Sequence, residues 1–548
     1  MKYIKSYLGF LAILSLSVFN GGFAQVSHGG QPYSFTHQLE TPIAVMPDAS
    51  ALIRLNFDEG KDCSGLEFAR FLPLNISLTS DDWQINNLPN GDRIYQLSIK
   101  SKGALGIGVY FNNLFIPEGG ELFIYSPDHQ QYIGSFNHLN NKENKILATE
   151  FLYGEEVIIE YFEPKNKVGQ SHFTVNEILH AYRGVREVDE EKGYGGSGDC
   201  EVNVNCPEGN GKKDQRDAVV RILIKKGSAG LWCTGSLINN TSEDRTPYII
   251  TADHCGKASS DEDMEQWIFY FHYQSLTCEF PDEEPEHQSV EGCEKIAASS
   301  NADILGSDFF LVKITQDIPL DYNPFFIGWN RDGLGSNSGY TIHHPDGDIK
   351  KISIYEEPLV SASYSSSGIT NAYWQVVWAE TESGHGVTEG GSSGSPIFDQ
   401  NGYLIGTLTG GQAACSNLTG PDFYGKISVH WEDNGTADDE QLMPWLDPLN
   451  SGIEKMSGTY LGLDEKDLIQ TDLFSLFPNP AQESVTLYFK EDYRDLSIQL
   501  YDIKGSLVNE TMQNGNSQVI PTDHLMNGVY FIKATNSKSS QTIRFLKN

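Results

Sequence analysis

The stretch Thr388–Asp399, TEGGSSGSPIFD, has the Gly and Ser content of a flexible linker but changes abruptly into the apolar run Pro396–Phe398. A nucleophilic serine needs a tight turn that exposes its Oγ, and backbone N–H groups that can hold an oxyanion. Gly391 and Gly394 permit such a turn because they carry no Cβ. The N–H groups of Gly391 and Ser393 would then converge on one point. The pattern therefore favours Ser393 as a nucleophile rather than as a linker residue.

Two upstream runs supply the groups that a nucleophilic serine requires. A serine alone is a weak nucleophile and needs a base. The run YIITADH ends in His254, and Asp308 precedes the apolar run FFLVKI, where a carboxylate would orient an imidazole; Asp303 is a competing carboxylate. The chain order His, Asp, Ser is that of chymotrypsin-like enzymes and differs from that of subtilisins and α/β-hydrolases.

Length, charge and the N-terminus limit the class of protein. The chain of 548 residues is too long for one hydrophobic core, and its formal net charge of −36 disfavours binding to nucleic acid or anionic membranes. Residues 1–24 have the basic start, apolar middle and small-residue end of a secretory signal peptide, with cleavage after Ala24. No later stretch is long and apolar enough to span a bilayer. We expect an exported monomer in a compartment that permits disulfides.

Short strand-like runs between turn signals continue through most of the chain and indicate an all-β protein. From residue 25 to 185 they predict a β-sandwich of its own, followed by the charged, Gly-rich connector GVREVDEEKGYGGSGDC. Six of the eight cysteines lie in a middle block between Cys200 and Cys293. After Tyr460 the composition changes again, and alternating segments without cysteine predict a small C-terminal β-domain.

The middle block resembles the lysyl endopeptidase family, secreted bacterial serine proteases of the chymotrypsin fold. The matching segments include GSGDCEVNVNCPEGNGKKD, CTGSLINNT, TADHCG, SDFFLV, TIHHPDGDIKKIS and GVTEGGSSGSPIFD, and they span roughly Gly195–Ile453. The resemblance implies two packed β-barrels with the site in the cleft between them, and no cofactor. It implies His254 as general base, Asp308 as its orienting partner and Ser393 as nucleophile, with an oxyanion hole formed by the N–H groups of Gly391 and Ser393.

The same resemblance predicts the substrate pocket. In this family a specificity acid lies past the nucleophile in an Asp-x-Tyr-Gly string, which here begins at Asp422. A carboxylate removed from water favours a basic side chain, but by itself it does not separate Lys from Arg. The resemblance implies Lys. The chain departs from the family pattern at Thr409, where a histidine is usual, and the family's pocket tryptophan has no clear counterpart, Tyr364 being the nearest aromatic residue.

Activation should not require a new amino terminus to form an ion pair beside the nucleophile. In many chymotrypsin-like enzymes that pair uses an Asp directly before the nucleophile, and this position is Ser392 here. The N-terminal domain is instead expected to assist folding or to cover the cleft. The connector offers a cut after Lys192, with Arg183 and Arg186 as competing sites.

The resemblance also gives meaning to the cysteines and leaves no metal site. It implies three disulfides, Cys200–Cys415, Cys206–Cys278 and Cys233–Cys255. Cys63 and Cys293 remain, either unpaired or joining the N-terminal domain to the catalytic domain. The adjacent His343 and His344 point to opposite faces if they lie on a strand, so they do not form a metal pair. The acidic loops SSDEDMEQ and EFPDEEPEH lack the regular ligand spacing of a calcium site.

The last 75 or so residues resemble the sorting domain of the type IX secretion system, found in Bacteroidota. The strings FPNP, LYDIKGSLV, LMNGVYFIK and RFLKN carry this resemblance. It implies that the type IX machinery is a partner and that the protein is released or held at the outer cell surface. The predicted organisation is a signal peptide (1–24), a β-sandwich-like pro-domain (25–192), a chymotrypsin-like double β-barrel (193–456), a linker (457–472) and a β-sandwich-like sorting domain (473–548).

The sequence thus predicts a secreted serine endopeptidase that cleaves proteins or peptides after lysine. Two alternatives remain open. One is a trypsin-like protease of Arg or mixed Lys/Arg specificity with the same three catalytic residues. The other is a protease-like surface adhesin that binds without cutting, although such proteins usually lose one of the three residues and this chain keeps all of them.

Overall fold

The computed structural model describes residues 25–40, 42–48, 66–183, 196–299, 306–366, 368–461, 474–477, 481, 484–502, 507–535 and 540–547. It forms two compact units, one reaching Thr459 and one beginning at Tyr460. Both consist mainly of strands, so the predicted all-β class is confirmed. Within these ranges no helix has the length and apolar character needed to cross a membrane. Several predicted features lie outside the described residues, namely Ala24, Cys63, Arg186, Lys192 and Asp303.

The N-terminal part is a sandwich of two sheets. Its ten strands are β1 (Ala44–Val45), β2 (Leu66–Ser77), β3 (Gln84–Asn87), β4 (Arg93–Lys100), β5 (Gly106–Phe115), β6 (Glu121–Tyr125), β7 (Tyr132–Phe136), β8 (Leu147–Tyr153), β9 (Glu156–Glu163) and β10 (His172–Ala181). One sheet has the order β1-β4-β9-β6-β7, and the other contains β2-β10-β5-β8. Alternating apolar side chains such as Leu97, Val109 and Ile159 are buried in the core that the two sheets share.

The next part carries the two barrels. Its strands are β11 (Val202–Asn203), β12 (Val219–Lys226), β13 (Ala229–Leu237), β14 (Tyr248–Thr251), β15 (Ile268–Phe271), β16 (Gln288–Glu291), β17 (Cys293–Ala298), β18 (Phe310–Ile314), β19 (Phe325–Phe326), β20 (Trp329–Asn330), β21 (Gly339–His343), β22 (Lys351–Tyr355), β23 (Val360–Ala362), β24 (Tyr373–Val376), β25 (Pro396–Asp399), β26 (Leu404–Gly411), β27 (Asp422–Lys426), β28 (Lys455–Met456) and β29 (Thr459–Tyr460). The helices are short: α1 (Lys213–Ala218), α2 (Asp253–Gly256), α3 (Asp261–Met264), α4 (Ile427–Glu432) and α5 (Met443–Leu446).

Two curled antiparallel sheets place the candidate residues between them. The first has the order β16-β15-β12-β13-β14-β18-β17, and its end strands follow each other through Gly292 at φ +85°, so the sheet nearly closes on itself. The second has the order β22-β21-β25-β26-β27-β24-β23. This is the double-barrel arrangement predicted from the family resemblance.

The N-terminal sandwich is not separate from the first barrel. Strand β2 pairs antiparallel with β13, with Leu66 opposite Trp232 and Arg70 opposite Ala229, so one sheet of eleven strands runs through both parts. On one face of this sheet, Phe68 and Trp232 stack with ring centroids 4.1 Å apart, in an apolar core that the sandwich and the first barrel share. A self-contained sandwich was predicted because each run alternates regularly, and alternation cannot reveal which strand lies beside an edge.

The C-terminal unit is a five-stranded sheet with a core of its own. Its strands are β30 (Phe474–Phe477), β31 (Ser484–Asp502), β32 (Leu507–Pro521), β33 (Gly528–Thr535) and β34 (Ser540–Lys547). The strand order is β30-β31-β33-β34, with β32 also on β31. Buried side chains such as Leu487, Ile498 and Ile532 form its core.

Candidate active site

His254 and Asp308 form a buried pair on the first barrel. His254 lies in α2, directly after β14, and Asp308 lies just before β18. The imidazole Nδ1 is 2.8 Å from Asp308 Oδ2, and the backbone N–H of His254 donates to Oδ1 at 3.0 Å. An ionised carboxylate only accepts, so Nδ1 carries the proton and Nε2 is left as a base. Within the described ranges, Nε2 has no hydrogen-bond partner.

The environment of Asp308 keeps its carboxylate ionised. Burial alone would raise the pKa of Asp308, but the charge and hydrogen bonds of His254, together with the Thr409 hydroxyl, bring that pKa below its usual range. Asp308 has φ +61°, a left-handed conformation that Asp tolerates better than most residues. The preceding residue, Ser307, is held by a hydrogen bond between its hydroxyl and His430 Nδ1 at 2.6 Å.

The stretch containing Ser393 is a tight turn, as its glycines predict. Gly391 has φ +89° and Gly394 has φ +81°. A Cβ on Gly394 would lie 2.1 Å from Thr251 Oγ1 and 2.7 Å from the backbone nitrogen of Ala252. Only glycine allows this approach, which brings the turn against the residues that lead into His254. Ser393 itself is partly exposed.

Two peptide units of this turn have their N–H groups available for an oxyanion. The carbonyl of Gly390 accepts from the N–H of Asp346 at 2.5 Å, and the carbonyl of Ser392 accepts from the N–H of Ser395 at 2.9 Å. In a trans peptide the N–H lies opposite the carbonyl, so the N–H groups of Gly391 and Ser393 point away from these contacts. Neither N–H donates a hydrogen bond to another described residue.

Neutral side chains hold the residue before Ser393. The hydroxyl of Ser392 is 2.8 Å from His343 Nδ1, and His343 Nε2 is 3.1 Å from the hydroxyl of Ser353. Burial lowers the pKa of His343 to about 3, so the imidazole is uncharged. This hydrogen-bonded chain lies at the position where many chymotrypsin-like enzymes have an ion pair between an Asp and a new amino terminus. In the sequence, only the position of Ser392 pointed to this arrangement.

Disulfides connect these elements. The structure has three, Cys200–Cys415, Cys206–Cys278 and Cys233–Cys255, the pairs that the family resemblance implies. The third links β13 to the helix turn of His254, and the next residue, Thr234, donates its N–H to the carbonyl of Ser393 at 2.8 Å. Cys293 is a free, buried thiol.

Asp422 is buried at the start of β27, opposite Gly411 on β26. Its Oδ2 accepts from Trp378 Nε1 at 2.8 Å and from the Thr388 hydroxyl at 2.6 Å. Its Oδ1 accepts from the backbone N–H of Ala413 at 3.2 Å. A Cβ on Gly411 would lie 2.2 Å from Oδ1, so only glycine leaves room for the carboxylate at this wall of the second barrel.

The other two candidate pocket residues lie near this wall with different neighbours. Thr409 is two residues before Gly411 but lies beside Asp308 rather than Asp422. The hydroxyl of Tyr364 is 3.5 Å from where a Cβ of Gly410 would be, and its ring packs against Phe423. The contacts of Trp378 and Thr388 with Asp422 could not be predicted, because neither residue lies at a recognisable sequence spacing from Asp422.

No group of three or more His, Cys, Asp or Glu side chains in the described part of the chain is arranged to hold a metal ion. His344 shows why the His343-His344 pair does not form one. Its Nδ1 is 2.8 Å from the carbonyl of Asp348, whereas His343 contacts Ser392 and Ser353.

Comparisons with known proteins agree with this architecture. Residues 194–425 match the family model described as the lysyl endopeptidase C-terminal domain, and residues 475–548 match that of the secretion system C-terminal sorting domain. The lysyl endopeptidase of Pseudomonas aeruginosa is 27% identical over 374 residues, which cover 64% of this chain and 76% of that protein. The secreted RxLR effector protein 73 of Plasmopara viticola is 23% identical over 315 residues, 55% of this chain and 73% of that protein.

Solved structures that match part of the chain include a serine protease and a Glu endopeptidase. The thermostable serine protease AL20 from an extremophilic microorganism is 14% identical, with coverage of 39% of this chain and 92% of its own and a TM-score of 0.27. A Glu endopeptidase is 18% identical, with coverage of 42% and 92% and a TM-score of 0.25. The chain is a serine endopeptidase that is secreted or held at the cell surface, similar in its catalytic part to the lysyl endopeptidase C-terminal domain and at its C-terminus to the secretion-system sorting domain.

Proposed function

We propose that this enzyme cleaves proteins on the carboxyl side of lysine through an acyl-enzyme at Ser393. The observation that carries the proposal is the buried His254–Asp308 pair, whose Nε2 has no hydrogen-bond partner among the described residues, next to Cys255, whose Sγ is 4.0 Å from the carbonyl oxygen of Ser393. In this proposal Ser393 is the nucleophile, His254 the general base and Asp308 its orienting partner. The N–H groups of Gly391 and Ser393 form the oxyanion hole.

The reaction follows from these roles. Ser393 Oγ attacks the carbonyl carbon as His254 Nε2 takes its proton, and the N–H groups of Gly391 and Ser393 stabilise the negative oxygen. The imidazolium then gives the proton to the leaving amine, and the carboxyl-terminal half of the substrate departs. Water, deprotonated by the same imidazole, hydrolyses the ester and regenerates the hydroxyl. Asp308 remains ionised and stabilises the imidazolium.

Asp422 supports the choice of a basic side chain. Its carboxylate is buried and fixed by three donors, so it presents negative charge at a set position beside Gly411. A charge in such surroundings attracts a cation more strongly than a charge in water does. Tyr364, also predicted for the pocket, lies at the same wall near Gly410, whereas Thr409, the third predicted pocket residue, is on the same strand with its hydroxyl near Asp308.

We also propose the domain boundaries predicted from the sequence. Residues 1–24 are the signal peptide, 25–192 the pro-domain, 193–456 the catalytic domain, 457–472 a linker and 473–548 the sorting domain, which addresses the type IX machinery. The cut after Lys192 would be made by the enzyme itself. Sequencing the new amino terminus of secreted protein tests this boundary.

The test of function is hydrolysis of paired reporter peptides that differ only in Lys or Arg before the scissile bond. We expect Lys cleavage alone from the processed wild type. Ser393→Ala should lower kcat by on the order of 10⁴-fold or more, because the nucleophile is lost. Asp422→Asn should lower kcat/KM for Lys by about 10²- to 10³-fold, because it removes one partner of a buried charge pair.

The same assay separates the alternatives. Equal cleavage of the Lys and Arg peptides would support a trypsin-like enzyme of mixed specificity. Activity that survives Ser393→Ala would exclude Ser393 as the nucleophile. No cleavage by processed wild type would instead support the adhesin.

A further inference from the structure

One oxygen of the Asp422 carboxylate is engaged twice by its own protein. Oδ2 accepts from the indole N–H of Trp378 at 2.8 Å and from the hydroxyl of Thr388 at 2.6 Å. A carboxylate oxygen has about two lone-pair positions for strong donors. Both positions on Oδ2 are therefore used before any substrate arrives.

The two donors are themselves held in place. Trp378 is 3% exposed, and its ring meets the rings of Tyr355 and Tyr424 edge-on, with centroids 6.5 and 6.1 Å apart. Thr388 is 4% exposed and begins the stretch that ends in the nucleophile turn. Neither donor can rotate away from Oδ2 without disturbing packed neighbours.

This arrangement treats the two basic side chains differently. A guanidinium binds a carboxylate best through two parallel N–H bonds, one to each oxygen. With Oδ2 engaged by Trp378 and Thr388, that two-point contact is not available. An ammonium is a compact charge that needs no paired geometry. The donors would therefore penalise arginine while leaving lysine able to bind.

We propose that Trp378 and Thr388 are specificity-determining positioning residues, which restrict Asp422 to an ammonium by occupying its Oδ2. The inference rests on the proposed function, because it requires Asp422 to receive the substrate side chain. Beyond that function, the inference states that Asp422 alone does not distinguish lysine from arginine. The preference for lysine comes from the two donors, Trp378 and Thr388, that bind its carboxylate.

The first test is Trp378→Phe, which keeps an aromatic ring and removes the N–H. The matched control is Trp374→Phe, since Trp374 is equally buried and donates its own N–H to the carbonyl of Ile405 at 3.1 Å, away from Asp422. The measurement is kcat/KM for paired Lys and Arg peptides. We expect the Lys/Arg ratio to fall at least tenfold in Trp378→Phe and to stay at the wild-type value in Trp374→Phe.

The second test uses the other donor and a smaller change. Thr388→Val keeps the shape of the side chain and removes the hydroxyl, whereas Thr388→Ser keeps the hydroxyl. The Lys/Arg ratio should fall in the first variant and be restored in the second. The double variant Trp378→Phe/Thr388→Val should show the largest gain in Arg cleavage. Should Trp378→Phe not fold, the Thr388 pair carries the test alone.

Titration of Ser393 with phenylmethylsulfonyl fluoride counts intact active sites in every variant, so loss of folded enzyme is not mistaken for altered specificity. If wild type cuts neither peptide, or cuts both equally, the proposed function fails before the donors are examined. If wild type is Lys-selective and neither Trp378→Phe nor Thr388→Val lowers the ratio, the inference about the donors is overturned and lysine cleavage stands.

Discussion

Thr409 connects the pocket strand to the proposed base. It lies on β26, two residues before the glycine that faces Asp422, yet its hydroxyl helps to lower the pKa of Asp308. The side chain that was predicted for the pocket thus affects the charge state of Asp308.

We expect Thr409→Val to slow the chemical step and leave substrate binding unchanged. The Thr409 hydroxyl makes no hydrogen bond to a described residue, so its loss should remove only a polar group near the buried carboxylate and cost about 1 kcal/mol, which corresponds to roughly 5-fold in kcat. KM should stay within about twofold. Steady-state kinetics on the Lys peptide measures both, with Thr409→Ser as the control that keeps the hydroxyl. A change confined to KM would place Thr409 in the pocket instead.

At the level of elements, the disulfide Cys233–Cys255 joins β13 to α2 beside the proposed base. The strand on one side supplies Thr234, which donates to the carbonyl of Ser393, and the helix turn on the other side carries His254. The link therefore fixes the base relative to the nucleophile. By contrast, Cys206–Cys278 joins the segment before α1 to the loop between β15 and β16.

Removing the two disulfides should separate stability from activity. Replacing either pair by alanine should cost about 3 to 4 kcal/mol of unfolding free energy, since the closed loops contain 22 and 72 residues. Only loss of Cys233–Cys255 should also lower kcat, because His254 loses its anchor. Thermal unfolding and active-site titration check the two effects. An equal fall in kcat for both pairs would contradict the special position of the first.

The sequence predicted these elements unevenly, and the reasons are physical. The three proposed catalytic residues could be predicted because each has a local sequence pattern within about ten residues. His254 follows a strand-like run, Asp308 precedes an apolar run, and Ser393 lies in a Gly-flanked turn. The contacts of Trp378 and Thr388 with Asp422 join separate elements, and the chain between them carries no repeating pattern. The pairing of β2 with β13 was missed for a related reason: an edge strand looks the same whether or not another strand lies beside it.

On the scale of the whole molecule, the N-terminal sandwich reaches the nucleophile turn. Leu66 is the first residue of β2 and lies opposite Trp232. A Cβ on Gly390 would be 3.2 Å from Leu66 Cδ1. Gly390 directly precedes Gly391, which we propose for the oxyanion hole. The start of β2 therefore lies beside the residue before Gly391, and we propose that it covers one approach to the site.

We expect the uncut protein to be at least tenfold less active than the processed enzyme on a reporter peptide. Lys192→Gln blocks the proposed cut, and adding Leu66→Asp should raise hydrolysis, because a charged side chain leaves the apolar contact with Gly390. Leu139→Asp in the same background is the control, since Leu139 is 65% exposed. Equal activity of uncut and processed protein would refute the covering role.

The contact between sandwich and barrel should weaken as pH rises. Burial alone would lower the pKa of His287, but the carboxylates of Glu150 and Glu284 outweigh this and the nearby Arg221, and the pKa is raised above its ordinary 6.5. His287 Nε2 is 2.7 Å from Glu150 Oε2 across this contact. A raised pKa stabilises the folded state fully below the ordinary value, and this stabilisation is lost as pH rises through the raised value.

His287→Gln in the Ser393→Ala protein tests this dependence. The difference in Tm between the two proteins should be largest below pH 6.5 and should shrink as pH rises through the raised pKa of His287. The Ser393→Ala background prevents self-cleavage during the scan. A difference in Tm that does not change with pH would show that the ion pair contributes nothing.

The eleven-stranded sheet also sets an order in time. Strand β2 leaves the ribosome long before β13, and pairings so distant in sequence form slowly because a long loop must close first. A finished N-terminal sandwich presents an edge on which β13 can align, so the first barrel begins from a partner that is already ordered. A catalytic domain made without residues 25–183 must find its register unaided, and we expect it to refold more slowly and to aggregate through the uncovered strand.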